Sequence, residues 1–144
     1  MANVFDVAAY IIQKAGPVSH MKLQKLVYYA QAWSLVWEEE PLFPERIEAW
    51  LSGPVVPPLF KRLEGVFKVT LKALGPSNPA SLTETQRDTV DKVLEFYGAR
   101  DAQWLSDLTH RESPWQEARK GLLPNERGTT EITHAMMSEY YSSI

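Results

Sequence analysis

The feature that most constrains this chain is a long segment, residues 19–38, in which apolar side chains cover nearly every face of a helix. One stripe of the helix consists of Leu23, Leu26, Val27, Ala30, Trp33 and Trp37. The faces beside it carry Tyr28, Tyr29, Leu35 and Val36. A helix that is apolar all round is normally enclosed by other elements. We therefore predict a central helix. Its expected water contacts are Lys22, Gln24, Lys25 and Gln31, and the pattern leaves open whether Tyr28, Tyr29 or Leu35 faces a partner.

Capping and turn signals predict further helices on both sides of this segment. The first helix is predicted to start after Asn3 and to end at Gly16-Pro17, and another is predicted to start at Pro57-Pro58. A capping box at Thr83 and Gln86 predicts a helix that ends at Gly98, and a further helix is predicted to start at Asp101. An N-cap at Ser113 before Pro114 predicts one more helix, and the last helix is predicted over 131–141. Trp33, Trp37, Trp104 and Trp115 are interpreted as core residues of these helices.

Two segments alternate apolar and polar residues, as half-buried strands do. In residues 46–52, Ile47, Ala49 and Leu51 share one face. Residues 68–73 alternate in the same way, so we predict that the two segments pair antiparallel. The fold class is therefore mainly α, a compact multi-helix domain around a central helix with a small antiparallel β element, and we expect a single domain over 1–144.

Composition excludes several classes of site and partner. The chain has 144 residues, no cysteine and a net charge of -3. Without cysteine there are no disulfides or thiolate metal sites, which fits a reducing cytosol. No signal sequence or membrane span is recognisable, so we expect a cytoplasmic protein with no membrane partner. The acidic balance argues against a nucleic-acid partner.

No motif predicts a cofactor or metal. The glycines are scattered singly, and His20, His110 and His134 lack a second ligand at a suitable spacing. His110 and Glu112 are the least implausible acid/base pair, which keeps a small hydrolase as a remote alternative to a non-enzymatic protein. Trp50 is left open between packing beneath a helix and exposure at an interface.

Five motifs occur in order along the chain. They are Lys22-Leu-Gln-Lys-Leu-Val-Tyr-Tyr-Ala-Gln31, Pro41-Leu-Phe43, Ile47-Glu-Ala-Trp50, Gly53-Pro-Val-Val-Pro57 and Leu108-Thr-His-Arg-Glu-Ser-Pro-Trp115. Together they resemble the SocA-like, or Panacea, antitoxin family, which includes phage-associated GepA-like proteins. The resemblance extends over nearly the whole chain.

This resemblance implies a bacterial or phage-borne antitoxin that neutralises a toxin encoded beside it by direct binding, with no catalytic residues and no cofactor. It also implies an alternative, a proteolytic adaptor that delivers the toxin to a ClpXP-type protease, for which residues 140–144 offer a flexible contact. The oligomeric state stays open, a homo-oligomer included. The candidate partner-binding or family-motif residues are Lys22, Gln24, Lys25, Tyr28, Tyr29, Trp50, Gly53, Pro54, Val55, Pro57, His110, Glu112 and Trp115.

Overall fold

The computed structural model describes residues 2–144 and is mainly helical, as predicted. Its helices are α1 (Val4–Ala15), α2 (His20–Trp37), α3 (Pro57–Arg62), α4 (Leu71–Leu74), α5 (Glu84–Tyr97), α6 (Ala102–Arg111), α7 (Ser113–Ala118) and α8 (His134–Tyr141), with one 3-10 turn at Pro79–Ser81. Among the described residues, no helix has the length and apolar character that crossing a membrane requires.

Helix α2 is central, which confirms the prediction from its apolar surface. It begins where the sequence indicated, because the Ser19 hydroxyl accepts a hydrogen bond from the backbone N–H of Lys22 at 3.2 Å. Helices α1, α5, α6 and α8 all pack against it. The buried apolar side chains form one core around this helix. The elements that carry the candidate site are therefore positioned by their contacts with α2.

The strands are short and form two small antiparallel sheets. They are β1 (Val18–Ser19), β2 (Ile47–Trp50), β3 (Gly53–Val55), β4 (Lys68–Val69) and β5 (Glu131–Ile132). Strand β2 lies between β3 and β5, with Ala49 opposite Pro54 and Ile47 opposite Ile132, while β1 pairs with β4. The turn between β2 and β3 makes a tight hairpin. It lies beside α2 and α6.

The predicted pairing of residues 46–52 with residues 68–73 is wrong. Only Lys68–Val69 is extended, and it pairs with β1. The Thr70 hydroxyl then accepts a hydrogen bond from the backbone N–H of Ala73 at 3.1 Å, which starts a single helical turn that ends at Gly75. Alternation over so few residues does not separate a strand from one turn of helix, and the capping threonine decides in favour of the helix.

Two predicted helix starts also need correction. Ser113 is the first residue of α7, and the residue before it, Glu112, takes the N-cap position without a side-chain cap bond. The last helix begins at His134, after a capping box formed by Thr133 and Met136. The start of the predicted segment, Glu131–Ile132, is strand β5 instead. Its partner is β2.

Candidate functional site

The first group of motif residues holds the hairpin against α2. Gln24, Lys25 and Gln31, predicted to contact water, are buried. The Gln24 side-chain carbonyl accepts a hydrogen bond from the backbone N–H of Val56 at 3.0 Å. Lys25 packs against Gly53, which has a φ of 120°. A Cβ at Gly53 would lie 2.6 Å from Lys25 Cε, so this close approach requires glycine.

The remaining residues of these two motifs also have structural positions. Lys22 Nζ donates to the backbone carbonyl of Gly98 at 2.7 Å and so ties α2 to the end of α5. Pro54 and Val55 are buried in β3, opposite Ala49 and Glu48 respectively. Pro57 is the first residue of α3, where its missing N–H leaves no helical bond unmade.

The second group of motif residues holds the hairpin from the other side, through α6 and α7. The Trp115 indole N–H donates to the backbone carbonyl of Trp50 at 2.8 Å. The two ring nitrogens of His110 face the carbonyls of Ser106 and Leu51, at 2.5 and 3.1 Å. A neutral imidazole donates through one ring nitrogen only, so one of these two contacts is a hydrogen bond, and that bond orients the ring.

Glu112 lies at the centre of a buried cluster of tyrosines. Its Oε1 accepts hydrogen bonds from the hydroxyls of Tyr29 at 2.6 Å and Tyr141 at 2.8 Å. The Tyr28 and Tyr141 hydroxyls are 2.9 Å apart, and because Tyr141 donates to Glu112, Tyr28 donates to Tyr141. The cluster joins α2 and α8 to the junction of α6 and α7.

Burial dominates the electrostatics of this cluster. Desolvation raises the pKa of Glu112 above its ordinary value, although the hydrogen bonds from Tyr29 and Tyr141 oppose the shift. Desolvation and the nearby Glu112 raise the pKa of the Tyr29 hydroxyl as well. Desolvation also raises the pKa of Tyr97, to about 12. These tyrosines are therefore protonated at neutral pH, and two of them, Tyr29 and Tyr141, donate to one carboxylate.

An aromatic groove opens beside this cluster, with a volume of about 570 Å³. Its lining is Trp33, Trp37, Lys92, Val93, Phe96, Tyr97, Trp104, Leu108, Glu112 and Ile144. The Trp33 and Trp37 rings are 5.1 Å apart, and the Trp33 indole N–H donates to the Tyr97 hydroxyl at 3.0 Å. Trp37 is 44% exposed and Phe96 is 62% exposed. Solvent therefore reaches the aromatic side chains of the groove, and the buried residue Glu112 is part of the same lining.

A second cavity, of about 610 Å³, lies at the hairpin. Trp50, Leu51 and Phe60 line it, together with Arg127, Gly128 and Thr129 and one further hairpin residue, Ser52. Trp50 is half-buried, packed edge-on to Phe60 and bonded through its indole N–H to Glu48. Leu51, predicted to face inward, is exposed at the turn. This cavity therefore takes a smaller part of its lining from aromatic residues than the groove does.

The structure answers the question that the sequence left open for α2, and it corrects the predictions for Trp37 and for the terminal segment. Tyr28 and Tyr29 are 1% and 0% exposed, because their hydroxyls belong to the Glu112 cluster, and Leu35 is buried too. Trp37, predicted as core, is exposed at the end of α2. The segment 140–144, predicted to be a flexible contact, begins within α8 and contains the buried Tyr141.

Comparisons with known proteins agree with the motifs. The family described as Antitoxin SocA-like, Panacea domain, matches residues 23–116. Antitoxin SocA of Caulobacter vibrioides (strain NA1000 / CB15N) is 39% identical over 130 residues, which cover 80% of this chain and 69% of that protein. The chain belongs to the SocA-like antitoxin family. This membership supports an antitoxin role. No solved structure matches the chain.

The SocA-like match runs from α2 into α7, so it includes both groups of hairpin contacts and Glu112. It also includes the aromatic residues of the groove, none of which was predicted as a site. Their only signal in the sequence was aromatic character at helical spacing, which is equally typical of a core. Three-dimensional packing alone shows that Trp37, Phe96 and Trp104 meet at one opening.

Metal ligation finds no support in the geometry. Within residues 2–144, no cluster of three or more histidine, aspartate or glutamate side chains is arranged to hold a metal ion. His20 accepts a hydrogen bond from the Gln24 amide at 3.1 Å, and burial lowers its pKa. Its position next to the hairpin is explained by that bond and by its packing on Phe60.

Proposed function

We propose that this chain is a cytosolic antitoxin that neutralises a protein toxin by binding it directly at the aromatic groove. The observation that carries the proposal is the concentration of exposed aromatic surface at one opening, with Trp37 and Phe96 at its mouth. Tryptophan, tyrosine and phenylalanine are enriched in the cores of protein interfaces and dominate their binding energy. Family membership supplies the class of partner.

The position of the acid/base candidates favours binding over catalysis. The His110 ring lies between two backbone carbonyls, and Glu112 Oε1 accepts hydrogen bonds from two tyrosines. Within residues 2–144 the two side chains make no hydrogen bond with each other, and His110 does not line the groove that Glu112 lines. Acid/base catalysis by this pair would need both groups within reach of one substrate, an arrangement that these positions do not provide.

The test is co-expression of the chain with the protein encoded beside it, with bacterial growth as the readout. The double variant Trp37→Ala, Phe96→Ala removes the mouth of the groove. Each truncated anchor should lower toxin affinity by about 2 kcal/mol, or roughly thirtyfold, so the variant should fail to rescue growth. Phe67→Ala is the matched control, since Phe67 is 83% exposed and lies outside the groove.

Two results would contradict this proposal. Growth inhibition by the neighbouring protein that persists beside the folded, unmodified chain would refute neutralisation. Equal rescue by the groove variant and by Phe67→Ala would refute the groove as the binding surface, and Leu51→Ala then tests the hairpin cavity. Toxin half-life separates simple neutralisation from delivery to a protease, because only delivery shortens the half-life when the chain is present.

A further inference from the structure

We propose that the groove receives an arginine side chain of the toxin, with its guanidinium against the aromatic walls and Glu112 as its counter-charge. This inference rests on the proposed function, since it names the chemistry that the same groove recognises. It commits to a single cationic side chain of a protein partner, rather than to a purely apolar anchor. Charge complementarity and the construction of the walls support it.

Glu112, one of the residues that line the groove, has one acceptor atom that no other group uses. Both tyrosine hydroxyls donate to Oε1 of Glu112, whereas no side chain or backbone group among residues 2–144 donates to its Oε2. Every buried side-chain nitrogen or oxygen in this part of the chain has a hydrogen-bond partner, so Oε2 retains contact with solvent. Glu112 lines the groove, and we therefore assign Oε2 as the acceptor for a ligand bound there.

Glu112 also lacks a salt bridge within the described residues, where the ion pairs all involve Arg46. A carboxylate that is 6% exposed and unpaired is expensive to keep in an apolar setting. Arg111 is close enough to oppose the rise in the pKa of Glu112, but Arg111 is exposed to solvent and forms no ion pair with Glu112. A cation supplied by the partner would complete the site.

The walls suit a guanidinium better than an ammonium ion. Arginine is planar, weakly hydrated and stacks on aromatic rings, whereas lysine carries a compact and strongly hydrated charge. Tryptophan is the best aromatic partner for such a cation, and three tryptophans line the groove. The chain itself shows this packing at the groove wall, where the Arg100 guanidinium lies 4.5 Å from the Trp104 ring centre.

Lys92 also lines the groove, and its charge is opposite in sign to that of Glu112. It is exposed at the rim, with Nζ 5.8 Å from the ring centre of Trp37. A bound cation would lie near this ammonium group and be repelled by it. Removing the Lys92 charge should therefore strengthen the binding of an arginine, while removing the Glu112 charge should weaken it. An apolar anchor would show neither effect.

The experiment uses a capped five-residue peptide with one central arginine and a twin with citrulline, the uncharged isostere. Binding to the full chain is followed by NMR through the indole signals of Trp33, Trp37 and Trp104, up to millimolar peptide. We expect the arginine peptide to bind about tenfold more tightly than its twin, consistent with a partly desolvated cation–π contact and a carboxylate. Glu112→Gln should abolish this preference, and Lys92→Gln should increase it.

Equal binding of the two peptides, or no change in the groove indole signals at the highest concentration, would overturn the inference. Glu112→Gln keeps an acceptor for Tyr29 and Tyr141, and if it nonetheless fails to fold, the comparison of the two peptides on the unmodified chain still decides. The toxin separates the two proposals. If the unmodified chain binds toxin and Glu112→Gln binds it equally well, arginine recognition fails while neutralisation stands, whereas an unmodified chain that does not bind refutes neutralisation itself.

Discussion

Glu112 shows how far residue type alone can be taken. From the sequence, Glu112 was paired with His110 as the acid/base residues of the hydrolase alternative, because a carboxylate near a histidine is a common catalytic arrangement. In the structure it accepts hydrogen bonds from Tyr29 and Tyr141, residues that lie far from it in sequence. A single sequence carries no signal for such long-range polar contacts, so the cluster could not be predicted.

The raised pKa of Glu112 predicts a pH dependence of stability. The folded state holds the proton more tightly than the unfolded state, so the chain should lose stability as pH rises above the ordinary glutamate value of 4.5 and through the folded pKa. Glu112→Gln removes this titration. Urea unfolding of both proteins from pH 4 to 8 should show the unmodified chain falling relative to the variant, and parallel pH profiles would contradict the assignment.

Lys25 predicts the opposite change of stability with pH. Burial lowers its pKa from 10.5 to about 8, so below pH 8 the folded state bears the full cost of a buried charge, up to about 3 kcal/mol. Between pH 8 and 10.5 the folded state binds fewer protons than the unfolded state, and stability should rise. Lys25→Met should therefore be stabilising at pH 7, with an advantage that shrinks towards pH 10.5. A constant difference in the free energy of unfolding would refute this.

The helices were the elements best predicted from sequence, because their signals are local. Ser19, Thr83 and Asp101 cap their helices where the sequence indicated. The strands were predicted less well. Val69 pairs with Val18, and Ile132 with Ile47, across separations that alternation within one segment cannot specify. Three of the strands span only two residues, which is too short for a periodicity to be read.

The hairpin and α2 depend on each other at Gly53. Gly53→Ala combines a positive φ with a Cβ that would meet Lys25 Cε at 2.6 Å, so we expect a loss of about 2–3 kcal/mol of unfolding free energy. Adding Lys25→Ala removes the collision but not the backbone strain. The double variant should therefore be more stable than the sum of the two single effects predicts, and strict additivity would show that the two residues do not touch.

Across the whole molecule, family motifs and candidate interface lie in largely different places. Most motif residues hold the hairpin between α2 and the α6–α7 junction, as Gln24, His110 and Trp115 do. The groove draws its exposed walls from outside those motifs, with Trp37 and Phe96 as its most accessible aromatics. The residues that fix the scaffold are therefore largely separate from those that form the proposed binding surface. Glu112 belongs to both.

Hydrogen exchange of the chain, measured by mass spectrometry with and without its toxin, tests the central claim most directly. Binding at the groove should slow amide exchange at the end of α2, the second half of α5 and the first turns of α6, with little change in the hairpin. Protection confined to residues 47–60, with the groove helices unchanged, would contradict the account and place the toxin at the hairpin cavity instead.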